Sequence, residues 1–164
     1  MPMKLVISDV RDLPLAENDN CKIIYDSGTI HHCIGCFGCW IKTPGKCLIA
    51  DGYEHMGERM SKCNELLLVS KCAYGGFSPF VKNVLDRAIS YISPHFVTRK
   101  GEMHHKRRYD NVIHITACFY GSSISEQEKQ TAQNLVRANA LNFDGEVDRV
   151  LFFDSADEAR GMFE

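Results

Sequence analysis

Apolar residues recur along the chain in five short runs, separated by segments with a different period. The runs occupy residues 4–9, 22–25, 65–70, 111–117 and 149–153. The third run, ELLLVS, is almost continuously apolar, which is typical of a strand in a parallel sheet covered on both faces. The pattern therefore predicts five strands of one parallel sheet.

Helical patterns fill most of the gaps between these runs. They occupy residues 53–63, 78–92, 125–141 and 156–163. The second is the clearest, because Ser78 can cap it and Pro79 suits its first turn. Its apolar residues Phe80 and Val84 share one face. Alternating strands and helices predict an α/β doubly wound sheet with strand order 2-1-3-4-5, and right-handed crossovers put three helices on one face.

The first two predicted strands are joined without a helical pattern. Asp12, Pro14 and Glu17 make this connection a loop, and an extended chain of about 3.3 Å per residue can return without a helix. One face of the sheet then lacks its first crossover helix, and exposed Val and Ile on that scale usually mark a protein interface. We expect a homodimer or higher homo-oligomer through this face. In the alternative, the loop and the tail fold over it.

Composition and charge narrow the class of protein. At 164 residues, with 45% hydrophobic and 24% charged residues, the chain suits a single globular domain over residues 1–164. A net charge of −2 provides no field that would attract nucleic acid or an anionic membrane. The start of the chain lacks a signal-peptide pattern, and no apolar stretch reaches the roughly 18 residues of a membrane helix. We therefore expect a cytoplasmic protein.

Four of the eight cysteines are clustered, with the spacing C-x2-C-x2-C-x7-C. They are Cys33, Cys36, Cys39 and Cys47. The short gaps let successive thiolates converge on one centre, and compact runs of four cysteines commonly hold iron–sulfur clusters or, less often, zinc. In a reducing compartment this pattern indicates metal or redox chemistry before disulfides. The alternative is that plain thiols fill a packed loop around Phe37 and Trp40.

The cysteine segment resembles a branch of the NAD(P)H-dependent FMN reductase and iron–sulfur flavoprotein family. The resemblance rests on Cys36-Phe37-Gly38-Cys39-Trp40, followed by Lys42-Thr43-Pro44-Gly45 and Cys47. Three later segments are also similar to the family. They correspond to its loop after the third strand, its subunit-contact loop and its last crossover. They are Tyr74-Gly75-Gly76-Phe77-Ser78, Gly101-Glu102-Met103-His104-His105 with Arg108, and Asn139-Ala140-Leu141-Asn142-Phe143.

This resemblance implies a flavodoxin-like fold, bound FMN, and electron transfer from NAD(P)H to a flavin, quinone or similar acceptor. The flavin would carry the chemistry, so no catalytic side chain is required. Two loops would flank the flavin ring, formed by Tyr74, Gly75, Gly76, Phe77, Cys118, Phe119, Tyr120 and Gly121. The ligands of a 4Fe-4S cluster would be Cys33, Cys36, Cys39 and Cys47.

The sequence departs from the family directly after the first strand. Family members have a Gly-Ser-Pro-Arg type of loop there, which opens a helix whose N–H groups hold the FMN phosphate. This chain has Ser8-Asp9-Val10-Arg11-Asp12 instead. Each lost charge-assisted hydrogen bond is worth roughly 1.5–3 kcal/mol, so FMN binding would weaken by several powers of ten. The alternative function is therefore a degenerate, non-catalytic relative that acts as an assembly or iron–sulfur/metal-binding module.

Overall fold

The structure, a computed structural model, describes residues 3–164 and contains seven strands and five helices. The strands are β1 (Met3–Ser8), β2 (Cys21–Tyr25), β3 (Cys63–Lys71), β4 (Ile92–Arg99), β5 (Glu102–Arg107), β6 (His114–Tyr120) and β7 (Glu146–Phe153). The helices are α1 (Gly38–Ile41), α2 (Met56–Lys62), α3 (Pro79–Arg87), α4 (Glu126–Phe143) and α5 (Ala156–Gly161). Met1 and Pro2, where the expectation about a signal peptide begins, lie outside the described residues. No helix within residues 3–164 is long and apolar enough to cross a membrane.

Five of the strands form one parallel sheet in the order β2-β1-β3-β6-β7. This confirms the predicted doubly wound α/β sheet, with β6 and β7 as its fourth and fifth strands. Alternate residues of each strand point to opposite faces. In β3, Leu66 and Leu68 join the larger core, whereas Leu67 and Val69 join a smaller core on the other face. The continuous apolar run of β3 thus serves two cores.

The larger core is covered by α2, α3 and α4, as right-handed crossovers predict. The Ser78 hydroxyl accepts a hydrogen bond from the Val81 N–H, which caps α3 as expected. The predicted helix over residues 78–92 is too long, because α3 ends at Arg87. A short 3₁₀ turn (Ile89–Tyr91) then leads directly into β4.

The smaller core lies on the face that lacks a crossover helix. Residues 9–20, all of them described, contain no helix, which confirms that expectation. Val10 and Leu13 of this loop are buried against the sheet, together with Ala159 of α5. The loop and the tail therefore cover part of this face, which is the alternative stated above. Self-association stays a prediction.

A two-stranded antiparallel hairpin of β4 and β5 stands outside the main sheet. The family resemblance predicts a loop over residues 101–105, whereas the structure has β5 from Glu102 onward. The hairpin is tied to the end of α4, where Arg99 Nη2 donates to the Leu141 carbonyl (3.0 Å) and Arg107 Nε donates to the Asp144 carboxylate (2.7 Å). Phe96, on its first strand, is 64% exposed.

Candidate functional site

Ligands of open α/β sheets bind at the carboxyl ends of the strands, where the chain direction diverges. In this sheet the divergence lies between β1 and β3. The chain leaves β1 for β2 on one side, and it leaves β3 for β6 on the other. The residues that follow these strands are therefore the first candidates for a binding site.

A tight turn holds Tyr74 out into solvent at this edge. Ala73 and Gly76 exchange two backbone hydrogen bonds, Ala73 N–H to Gly76 O (2.9 Å) and Gly76 N–H to Ala73 O (2.8 Å). The two residues between them are both left-handed, with φ of 52° at Tyr74 and 81° at Gly75, as in the turns that favour Gly at the second position. The Tyr74 side chain is 93% exposed. It therefore offers an open aromatic face to a ligand.

Gly75 fixes the position of this turn against α4. A Cβ at Gly75 would lie 2.8 Å from the Glu128 carbonyl oxygen and 2.7 Å from Thr131 Cβ. Only glycine fits so close to the helix backbone in a left-handed conformation.

The other predicted ring-contact residues divide into two groups. Phe77, Cys118 and Phe119 are buried, and the rings of Phe77 and Phe119 are stacked with their centroids 5.1 Å apart. These three side chains pack in the core beneath the edge of the sheet, so they do not face a ligand. Tyr120 is half-buried, and its carbonyl accepts a hydrogen bond from the Cys72 N–H (2.8 Å). This bond joins the end of β6, with Gly121 directly after it, to the segment that carries the Tyr74 turn.

Asp9 lies at the point where β1 and β3 diverge. Its carboxylate Oδ2 accepts a hydrogen bond from the Lys71 N–H (2.9 Å), while its own N–H donates to the Val69 carbonyl (3.2 Å). The second carboxylate oxygen, Oδ1, is buried, and the Tyr120 hydroxyl lies beside the Asp9 carboxylate. Burial, and next the Asp9 carboxylate, raises the pKa of Tyr120. The charge of Asp9 is evident from the sequence, but its proximity to Tyr120 is not.

The segment that follows β1 offers few donors to the phosphate of FMN. The Val10 N–H is occupied by the Ser8 hydroxyl (3.0 Å), and the Leu13 N–H by the Tyr25 hydroxyl (3.2 Å). The Arg11 guanidinium donates to a backbone carbonyl, that of Asp26. Residues 9–20 contain no helix and so provide no helix dipole for a dianion, and of the N–H groups of residues 9–13 only those of Arg11 and Asp12 are without an acceptor.

The four clustered cysteines line one cavity of about 390 Å³, together with Phe37, Trp40 and Arg87. Cys33 and Cys36 are exposed, Cys47 is partly buried, and Cys39 is buried. Burial raises the pKa of the Cys39 thiol, and the thiols of the other three cysteines raise it further. The four side chains thus border the same cavity, and their role as cluster ligands stays a prediction.

Within residues 3–164, no group of three or more His, Cys, Asp or Glu side chains is placed to hold a single metal ion. A zinc ion bound at 2.3 Å needs its four sulfur ligands about 3.8 Å apart, so the arrangement gives the zinc alternative no support. A four-iron cluster binds each thiolate at a different iron and requires a wider spacing.

Arg87, at the end of α3, anchors the cysteine segment, and its side chain is fully buried. All of its donors are used. Nε donates to Cys47 Sγ (3.2 Å), Nη1 to the His31 carbonyl (2.8 Å) and to Asp51 (2.7 Å), and Nη2 to the Ile49 carbonyl (2.9 Å) and to Asp51 (2.9 Å). The role of Arg87 has no local signal in the sequence, because its five acceptor atoms lie far from it along the chain.

Asp51 makes this anchor sensitive to acid. The hydrogen bond from Arg87 lowers the pKa of the Asp51 carboxyl from 3.8 to about 2. A carboxyl with a lowered folded-state pKa stabilises the fold above its unfolded pKa, and this contribution is lost as pH falls. We expect about 2 kcal/mol of stability to be lost between pH 4 and pH 2 in urea unfolding. Asp51→Asn should remove this pH-dependent part, and an unchanged acid limb in that variant would contradict the assignment.

The two candidate sites are separate. The Tyr74 turn precedes α3, whereas Arg87 and the cysteines lie at its far end. Nine helical residues, Pro79–Arg87, span about 14 Å at 1.5 Å per residue.

No family model matches the chain, and no curated protein matches it significantly in sequence. Solved structures do match its fold. General stress protein 14 from Treponema denticola, determined in complex with FMN, has a TM-score of 0.54 and 12% identity, over 99% of this chain and 92% of that one. The Trp repressor binding protein from Bacillus subtilis has a TM-score of 0.54 and 12% identity, over 97% of this chain and 95% of that one. The fold is flavodoxin-like. At this identity the likeness extends to the fold alone.

Proposed function

We propose that the protein is a flavin-dependent oxidoreductase that transfers electrons from NAD(P)H to a flavin, quinone or similar acceptor. The observation that carries this proposal is the exposed Tyr74 ring, held on a tight turn at the diverging edge of the sheet. The FMN bound by the Treponema denticola protein, which shares this fold, supports it.

The chain would bind and orient the ring rather than take part in the chemistry. A bound flavin would supply the redox chemistry, the transfer of a hydride from NAD(P)H and, with a proton from water, of two electrons and two protons to the acceptor. Tyr74 would stack on the face of the ring, and Tyr120 and Gly121 would border its edge. Phe77, Phe119 and Cys118 would hold these groups in place from the core.

The proposal is tested by titrating the purified full chain with flavin and following the quenching of flavin fluorescence. Tyr74→Ala should weaken flavin binding about tenfold, because stacking on an aromatic side chain is worth roughly 1–3 kcal/mol. Phe96→Ala, an exposed aromatic on the hairpin, is the matched control and should leave the affinity unchanged. Protein that binds no flavin, or equal binding by Tyr74→Ala, would refute the proposal.

A second candidate function is a 4Fe-4S module, which is favoured by the convergence of Cys33, Cys36, Cys39 and Cys47 on one cavity. Such a site would be independent of flavin, because α3 separates the two. Iron and sulfide are quantified after anaerobic reconstitution. Four irons per chain, lost in Cys39→Ser, would support the module, and no bound iron would eliminate it.

We propose a cytoplasmic location, where thiols such as these are kept reduced.

We also propose that the chain forms a homodimer or higher homo-oligomer. Within residues 3–164, six of the seven exposed large apolar side chains lie on or next to the cysteine segment and on the hairpin, which favours this surface over the partly covered sheet face. They are Ile34, Phe37, Ile41, Leu48, Phe96 and Met103. Light scattering on the purified chain measures its mass, and a monomer at micromolar concentration would refute the proposal.

A further inference from the structure

We propose that Arg87 raises the reduction potential of a 4Fe-4S cluster bound by the four clustered cysteines, by donating a hydrogen bond to Cys47 and placing a buried positive charge beside it. The inference rests on the second candidate function, the 4Fe-4S module. It goes further because it assigns the control of electron transfer to a residue that is not a ligand.

The hydrogen bond to Cys47 is the first observation. Arg87 Nε donates to Cys47 Sγ at 3.2 Å, and it is the one side-chain donor within residues 3–164 that reaches any of the four sulfurs. Hydrogen bonds to the sulfur ligands and the local net charge are two of the factors that set a cluster potential. A cluster with four thiolates is an anion that becomes more negative when it gains an electron. A charged donor beside one sulfur therefore stabilises the reduced form more than the oxidised form.

The charge of Arg87 lies where water does not screen it. Its side chain is fully buried, although the cavity is open at the exposed residues Cys33 and Cys36. Apolar side chains make up most of the remaining lining, namely Ile34, Phe37, Trp40, Ile49 and Ile89. Electrostatic interactions are several times stronger in such surroundings than in water. Asp86, which also borders the cavity, is partly exposed and paired with Lys82, so water weakens its influence.

Asp51 opposes this effect from the other end of the guanidinium. Its carboxylate accepts hydrogen bonds from Nη1 (2.7 Å) and Nη2 (2.9 Å) of Arg87, whereas the Cys47 sulfur is bonded to Nε. The pKa of Asp51 is lowered to about 2, so the carboxylate is charged at neutral pH. The two residues should therefore shift the potential in opposite directions. The cation should have the larger effect, because it contacts the sulfur.

The test is a reductive titration of the anaerobically reconstituted full chain at pH 7.5, with mediators of known potential and detection by EPR and visible absorbance. We expect Arg87→Met to disfavour one-electron reduction at least about tenfold, which lowers the potential by about 59 mV. Asp51→Asn should favour reduction severalfold and raise the potential. Both changes break the same buried network, so a purely structural effect would not give shifts of opposite sign.

Matched controls make the same changes at exposed positions of elements that do not border the cavity. Arg137→Met on α4 and Asp157→Asn on α5 should leave the potential unchanged. Iron is quantified for every variant. If Arg87→Met does not retain four irons, the sign of the shift in Asp51→Asn decides the question.

Two results would overturn the inference while leaving the 4Fe-4S module intact. One is a potential in Asp51→Asn that is equal to or lower than that of the wild type. The other is a cluster in Arg87→Met that is reduced as readily as in the wild type. If the wild-type chain binds no iron, the module itself fails, and the inference fails with it.

Discussion

Arg87→Met is expected to lower the free energy of unfolding by about 3–5 kcal/mol, because it leaves the Asp51 carboxylate buried without its partner. Methionine has a similar length and is apolar, so the variant removes the donors while retaining most of the volume. Besides Asp51, the His31 and Ile49 carbonyls and the Cys47 sulfur also lose a donor. In a chain of this size the change corresponds to a fall in Tm of about 10 °C.

Chemical denaturation of two further variants isolates the cause. Arg137→Met, on the exposed side of α4, has the same change in composition and should cost less than about 0.5 kcal/mol. Combining Arg87→Met with Asp51→Asn should cost less than the sum of the two single changes, since the pair acts as a unit. A loss in Arg87→Met as small as in Arg137→Met would show that the buried network contributes little. Faster labelling of Cys39 by a thiol reagent would show that the cysteine segment has been released.

Gly75→Ala is expected to destabilise the fold by about 2–5 kcal/mol and to abolish tight flavin binding. A left-handed alanine costs about 1–2 kcal/mol. Overlap of its Cβ with the α4 backbone adds about 1–3 kcal/mol. The turn can relieve the overlap only by moving away from α4, which carries the Tyr74 ring out of position.

Gly101→Ala is the matched control for this change. Gly101 has φ of 82°, close to the 81° of Gly75, but no atom lies within 4 Å of its added Cβ. It should therefore show the conformational cost alone and retain flavin binding. Equal unfolding free energies for the two variants would indicate that the contact with α4 does not restrain the turn.

The parallel sheet and its helices could be predicted because they depend on local patterns. The continuous apolar run from Leu66 to Val69 signals a strand buried on both faces, and Ser78 with Pro79 signals the start of α3. The missing first crossover helix was likewise evident from the polar residues after β1. The short gaps between the cysteines account for their lining one cavity, whereas their binding of a cluster stays a prediction.

The tertiary structure alone decided the Arg87 anchor, the environment of Asp9 and the β4–β5 hairpin. Arg87 meets the His31 carbonyl across 56 positions of sequence, and Asp9 meets the Lys71 N–H across 62. The hairpin has exposed Phe96 and Met103, so its apolar residues do not follow a buried face. Local periodicity indicates which side of an element is buried. It does not predict which distant acceptor or charge packs against that element, and the candidate site depends on those long-range contacts.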